Sequence, residues 1–239
     1  MIYNGIILSM KIMQKQNPKQ NVLGKEQIEM EIRVAQVENR EINFKGKTLL
    51  NFPMQERVFE QSINLENTTI KNTVTLSESK IKGNVNLRGA VINGTFYLGP
   101  AVINGDLDMT NAKVKGGVNL VGAKINGNLI LQGITISGFL SLNKTEIKKQ
   151  ANLNSIEVRD AYQAGLVIKG DVYLREAVIP TNLELANSFI EGSLDMLKAY
   201  IGGNVNLAST EIREILILKE AMIKGHLNTE NTEQKEIVK

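Results

Sequence analysis

The sequence predicts an all-β chain wound as a parallel β-helix, with about 22 residues per coil and an N-terminal cap. Three observations carry this. First, the stretch from Ile81 to Leu142 repeats every eleven residues as I-x-G-x-L-x-L-x-x-A-x. Gly83, Gly94, Gly105, Gly116, Gly127 and Gly138 fall at one phase, and Leu87, Leu98, Met109, Leu120, Leu131 and Leu142 at another. A fixed short period is the signature of a stacked repeat. Second, the apolar or small residues inside each unit are two apart, the spacing of a strand and not of a helix. Third, eleven residues fully extended span roughly 36 Å. A closed coil of that perimeter leaves no room for Ile and Leu, so two units form one coil.

Residues 1–25 precede the repeat. MIYNGIILSMKIM is apolar around Lys11 and is followed by QKQNPKQNVLGK. The apolar run falls short of the roughly 20 residues that a spanning helix needs. It has no basic residue before it and no cleavage-site pattern, so it does not read as a secretory signal. It reads either as a short apolar and basic contact with an anionic membrane surface, or as a frayed terminus or extra residues upstream of a true start at Met10 or Met13.

Residues 26–69 read as an N-terminal cap with a degenerate first coil. A stack of strands ends in unpaired backbone groups that must be covered. EINFKGKTL looks like a worn repeat, and NFPMQERVFEQS reads as a short helix with Pro53 near its start. From Ile70 the period holds through Ile81, Ile92, Ile103, Val114, Ile125, Ile136, Ile147 and Val158. One step is then ten residues, and the register resumes at Ile168 and runs to Ile223. This gives fifteen units over residues 70–228, about seven and a half coils at about 4.8 Å each. Parallel connections favour a right-handed winding. Val74, Val85, Phe96, Leu107 and Val118 face inward with Leu76, Leu87, Leu98, Met109 and Leu120, and residues such as Arg88-Gly89 supply turns. The repeated Gly bends the chain where a side chain would clash or φ is positive. Residues 229–239 read as a polar, frayed tail.

Composition bounds the function. The absence of Cys excludes disulfides and thiolate metal sites and fits a cytoplasmic location. Net charge is +3, and residues 1–25 hold Lys11, Lys15, Lys19 and Lys25 with no acid. The remaining 24 basic residues (28 less 4) nearly balance the 25 acids. A neutral body fits neither a nucleic-acid binder nor a polyanionic DNA mimic.

The A-x-I-x-G and x-L-x-L-x-x halves of each unit, as in Ala112 with Val114 and Val118 with Leu120, resemble the A-x-L-x-x unit of pentapeptide-repeat proteins. One residue is added per pair, and Lys, Val and Thr often replace the Asp or Asn before the central Leu. The resemblance covers residues 70–228 and implies a right-handed quadrilateral β-helix. A second resemblance, through the I-x-G motifs and the leader, is to bactofilins, which are β-helical cytoskeletal proteins.

No cofactor and no catalytic or metal residues are expected. His226 is the single His and faces outward. Asp106 and Asp108 share an outward side, but no second acidic pair repeats at 11 or 22 residues, so they read as a solvated face. Two features stand out. Val178, Tyr200 and Met222 recur at 22-residue intervals just before an inward Ile and form a candidate interface. The ten-residue step places Arg159, Asp160 and Tyr162 in an irregular coil, either a binding bulge or a tolerated deletion. The expected function is a structural or binding protein that presents flat faces to other proteins, as a homodimer. The alternatives are a self-assembling scaffold of the bactofilin kind, touching membrane through residues 1–25, and a carbohydrate-acting β-helix enzyme. The last usually needs longer, looped coils. The partners are therefore a second copy, as dimer or end-to-end polymer, or an unidentified protein, rather than nucleic acid.

Overall fold

The computed structural model describes residues 22–154, 157–158 (as backbone) and 170–239. It is a parallel β-solenoid. Each coil carries four short strands, and coils stack so that each strand pairs with its counterpart one coil on. In chain order, face 1 starts at Ile42–Asn43, face 2 at Thr48–Leu49, face 3 at Phe52–Pro53 and face 4 at Val58–Phe59. Face 1 is a nine-stranded ladder and face 4 an eight-stranded one. The register is 22 residues: Val85 pairs with Leu107, which pairs with Leu129. Two eleven-residue units therefore make a coil, as the volume argument required.

The inward residues form one continuous core. Val74, Phe96, Leu107, Val118, Leu129 and Leu140 are fully buried, as are the Leu and Met two positions on and the unit-leading Ile70, Ile92, Ile103 and Ile125. Burial of apolar side chains supplies most of the drive. The hydroxyls at the crowded Ala position are satisfied internally. Thr145 Oγ1 donates to Leu120 O at 2.8 Å and Thr210 Oγ1 to Leu185 O at 2.7 Å, so their burial leaves no orphan donor.

Two kinds of corner alternate. Between faces 1 and 2, and between faces 3 and 4, the chain makes a tight turn closed by a bond such as Ala90 N–H to Leu87 O, 3.0 Å. The third turn residue has positive φ, as at Gly89, Asn111 and Gly133, which is the type II pattern. Outward Asn residues cap these turns: Asn64, Asn86, Asn119 and Asn206 accept the N–H two residues on. The other two corners carry the periodic glycines. None of Gly83, Gly94, Gly105, Gly116, Gly127 and Gly138 has positive φ. They are needed because successive coils touch there: a Cβ on Gly127 would lie 2.4 Å from Gly105 O and 2.3 Å from Asp106 Oδ1. Of the two reasons expected for these glycines, steric contact is the one that operates. The following polar residue bonds across coils, with Asp106 Oδ1 accepting Asn128 N–H at 2.7 Å and Asn84 Oδ1 accepting Asp106 N–H at 2.9 Å.

The N-terminal end is covered by helix α1, Lys25–Val37. Ile28, Ile32 and Ala35, spaced 4 and 3 apart, are buried against the first coil, a helical stripe. Asn39, at positive φ, ends the helix. The short helix expected after Pro53 is instead a pair of strands, Phe52–Pro53 and Val58–Phe59. Phe52, Met54 and Phe59 alternate into the core, and core packing overrides local helix signals. Pro53 suits its place. Phe52 N–H and Met54 N–H point to the next coil, so the N–H that Pro53 lacks would face the open edge of face 3.

The stack therefore exceeds the expected seven and a half coils. Strands in the common ladders begin at Ile42, within the stretch read as cap and first coil. That coil is one residue short of the regular 22, since Leu49 pairs with Ile70 while Phe52 pairs with Val74. The polar C-terminal stretch does not fray. Glu233–Val238 is a strand that pairs with Glu211–Ile217, because the last coil's free backbone groups find partners there. These two long strands lack a glycine corner and join faces 2 and 3 into one 17-stranded sheet.

α1 is fastened by a fork-like ion pair: Arg57 Nη1 and Nη2 donate to the Glu29 carboxylate at 2.8 and 2.5 Å. The Arg57 bond holds Glu29 below its usual value near 4.5, against the opposing pull of burial. A depressed carboxylate stabilises the fold above its ordinary range and loses that contribution as pH falls through its lower folded value. Glu29→Gln should therefore lower the melting temperature at pH 7 by a few degrees. The pair is partly exposed and worth about 1 kcal/mol or less. The gap between variant and parent should close as pH falls below 4.5; thermal melts across pH 2–7 read it out.

Candidate interaction face

Face 4 is built of two-residue strands whose second residue points into the core and whose first points out. The outward column reads Val58, Lys80, Val102, Lys124, Glu146, Val178, Tyr200 and Met222. Over its first part, charged and apolar residues interleave, and Lys124 pairs with Glu146 at 3.1 Å. Over its last three strands the column is apolar. Val178 lies opposite Tyr200 and Tyr200 opposite Met222 in the ladder, so the three candidate interface residues form one stripe. Val178 is 38% exposed and Met222 51%, with Tyr200 half-buried. Pro180 and Gly202 flank the stripe toward face 1.

The other border of the stripe is charged. The turn from face 3 to face 4 places Lys144, Glu176, Lys198 and Glu220 at equivalent positions, with φ of 57°, 56°, 56° and 57°. Their signs alternate from coil to coil. Lys144 Nζ lies 3.7 Å from Glu176 Oε2, and Lys198 Nζ lies 3.7 Å from Glu220 Oε2. All four side chains are more than half exposed.

Arg159, Asp160 and Tyr162 lie outside the described residues. The ladder on either side nevertheless corrects the register read for their stretch. Ile136 pairs with Val158 at the usual interval of 22, but Val158 pairs with Ile190 and Leu140 with Val172, an interval of 32. The ten residues are thus an addition to one coil, not a shortened repeat. They fall between the face 2 strand Glu157–Val158 and the face 3 strand Val172–Tyr173. Gly170 then takes the corner place, bonded by Gly192 N–H at 3.0 Å.

Beyond that corner, face 3 carries a polar cluster that the sequence reading missed. Arg175 Nε and Nη2 donate to Asp195 Oδ2 at 2.6 and 2.5 Å. Asp195 is only 2% exposed, and its other oxygen accepts Leu197 N–H at 3.0 Å. Tyr173 Oη donates to Asp171 Oδ2 at 2.7 Å. That bond, with burial behind it, pushes the Tyr173 hydroxyl up to about 12, so it stays a neutral donor. Asp171 Oδ1 also accepts Ser193 N–H at 2.7 Å. Each carboxylate is spoken for, and the cluster ties neighbouring coils together. Its signal was legible in principle: an acid at an outward strand position with Arg 20 residues before it. The exposed pair Arg88–Asp108, 3.0 Å, repeats that spacing.

Asp106 and Asp108 are occupied in the same structural way. Asp106 accepts Asn128, and Asp108 accepts Thr110 and Arg88. His226 is exposed, and its backbone N–H donates to Asn204 Oδ1. Among the described residues no group of three or more His, Asp or Glu is placed to hold a metal ion. No described helix is long and apolar enough to cross a membrane. The chain is a β-helix repeat protein by architecture. Set against protein-family models, curated proteins and solved structures, it matches none.

Proposed function

We propose that the protein is a non-enzymatic binding and scaffolding solenoid, cytoplasmic and homodimeric, that meets its partner through face 4. The observation behind this reading is the stripe of Val178, Tyr200 and Met222, in ladder register and open to solvent. An exposed apolar patch rimmed by charge is the usual mark of a protein contact. The likeness of the repeat to pentapeptide-repeat proteins agrees with a role built on faces rather than on a catalytic centre. Light scattering should report twice the chain mass, and Tyr200→Glu should give a monomer with an unchanged circular dichroism spectrum. An undisturbed dimer in that variant removes face 4 from the proposal.

One observation favours a second reading, end-on self-assembly of the bactofilin kind with residues 1–25 adding weak membrane contact. The coil from Leu218 to Val238 carries half-buried Leu218, Ile223 and Leu227, and Ile237 is 39% exposed. The opposite end lies beneath α1. A mass that climbs with concentration, insensitive to Tyr200→Glu, would select this reading.

A further inference from the structure

Resting on the homodimer reading of face 4, we infer the arrangement of the two copies: antiparallel solenoids, face 4 on face 4, related by a two-fold axis that passes between the Val178 and Tyr200 coils. The charged border fixes this. In an antiparallel face-to-face pair, the turn column of one copy runs beside the same column of the other, in reverse order. The column reads Lys144, Glu176, Lys198, Glu220.

An axis through a coil sets like against like. Centred on Tyr200 it opposes Glu176 to Glu220 and Lys198 to Lys198. An axis between coils sets opposite against opposite. Centred between Val178 and Tyr200 it opposes Lys144 to Glu220 and Glu176 to Lys198, each twice by symmetry. The same axis sets Val178 of each copy against Tyr200 of the other, at the centre, and Met222 against Glu146, whose carboxylate is already paired with Lys124. The next axis along, between Tyr200 and Met222, also matches signs but leaves Glu176 and Lys144 beyond the overlap. Stable interfaces bury roughly 800 Å² per partner, so the register that engages all four coils, about 19 Å along the axis, is the one selected. Complementary charge sets register and excludes wrong pairings. The four positions share one backbone conformation and are already occupied by both Lys and Glu, so exchanging them leaves the turns unstrained.

The test is sedimentation equilibrium or light scattering of the full chain and three variants, each with a thermal melt to establish folding. Lys198→Glu puts Glu176 of each copy against an acid and should weaken the dimer about tenfold or more. Glu176→Lys with Lys198→Glu restores the match across the axis while spoiling the alternation within each chain. It should dimerise within about threefold of the parent. In the neighbouring register the same double variant opposes Glu to Glu220 and stays weak. The third variant, Tyr200→Glu, separates the two levels. If it is monomeric while Lys198→Glu dimerises like the parent, face 4 stands and the register is overturned. Failure of the double variant to recover also overturns the register. A parent chain that is monomeric throughout overturns both.

Discussion

Gly127→Ala should cost the fold about 3 kcal/mol or more, measured by urea unfolding against the parent. The added methyl would sit 2.4 Å from the backbone oxygen and 2.5 Å from the carbonyl carbon of Gly105, one coil below. Neither atom belongs to a flexible side chain, so relief requires the coils to part. Parting them stretches the Gly127 N–H bond to Gly105 O, now 3.0 Å, and the neighbouring bond from Asn128 N–H to Asp106 Oδ1, 2.7 Å. Gly46→Ala is the control. Its Cβ would meet nothing within 4 Å, but its φ is +68°, so only the left-handed backbone is penalised, by about 1–2 kcal/mol. A cost at Gly127 no larger than at Gly46 would show that the contact between coils relaxes easily and does not explain the periodic glycines.

Ile32→Asp should be as damaging, by about 3–5 kcal/mol. Ile32 is 1% exposed in the seam between α1 and the first coil. A carboxylate there must stay buried or lift the helix. Lifting it uncovers the first coil, where Phe44 and Phe52 meet edge to face at 5.7 Å, and frees strand edges that recruit other chains. The variant should bind a hydrophobic dye and aggregate on storage. Val37→Asp, at a position 64% exposed on the same helix, should do neither. A soluble Ile32→Asp chain with native stability would mean that α1 is not the cap.

Much of this architecture could be read from residue spacing. Apolar residues two apart give strands, and the volume of Ile and Leu forbids an eleven-residue coil. The same spacing puts Val178, Tyr200 and Met222 in one column. What escaped was whatever departs from an eleven-residue ruler. The coil from Ile42 lost one residue between Leu49 and Phe52 and fills its core with Phe44, Phe52 and Phe59 in place of Ile and Leu. The strand Glu233–Val238 is polar because its contribution is made by backbone groups, which carry no side-chain signature. The step after Val158 looked like a deletion because Ile168 and Gly170 happen to continue the motif. Only pairing shows that Val158 answers to Ile190. The Arg175–Asp195 pair could be suspected from its 20-residue spacing, but the burial of Asp195 could not. Its burial comes from side chains on adjacent coils, a contact that no single repeat contains.

The 22-residue register has a kinetic meaning as well. Sheet proteins usually fold slowly because their strands must find partners far along the chain. Here almost every strand pairs with one 22 residues away in a chain of 239, a relative separation of about 0.09, within the range of helical bundles. Each regular coil closes a loop of that length, and the coil below it is its template. A stack of sheet can therefore assemble as a helix does, by a costly first turn and cheap extension, beside the one end that α1 covers.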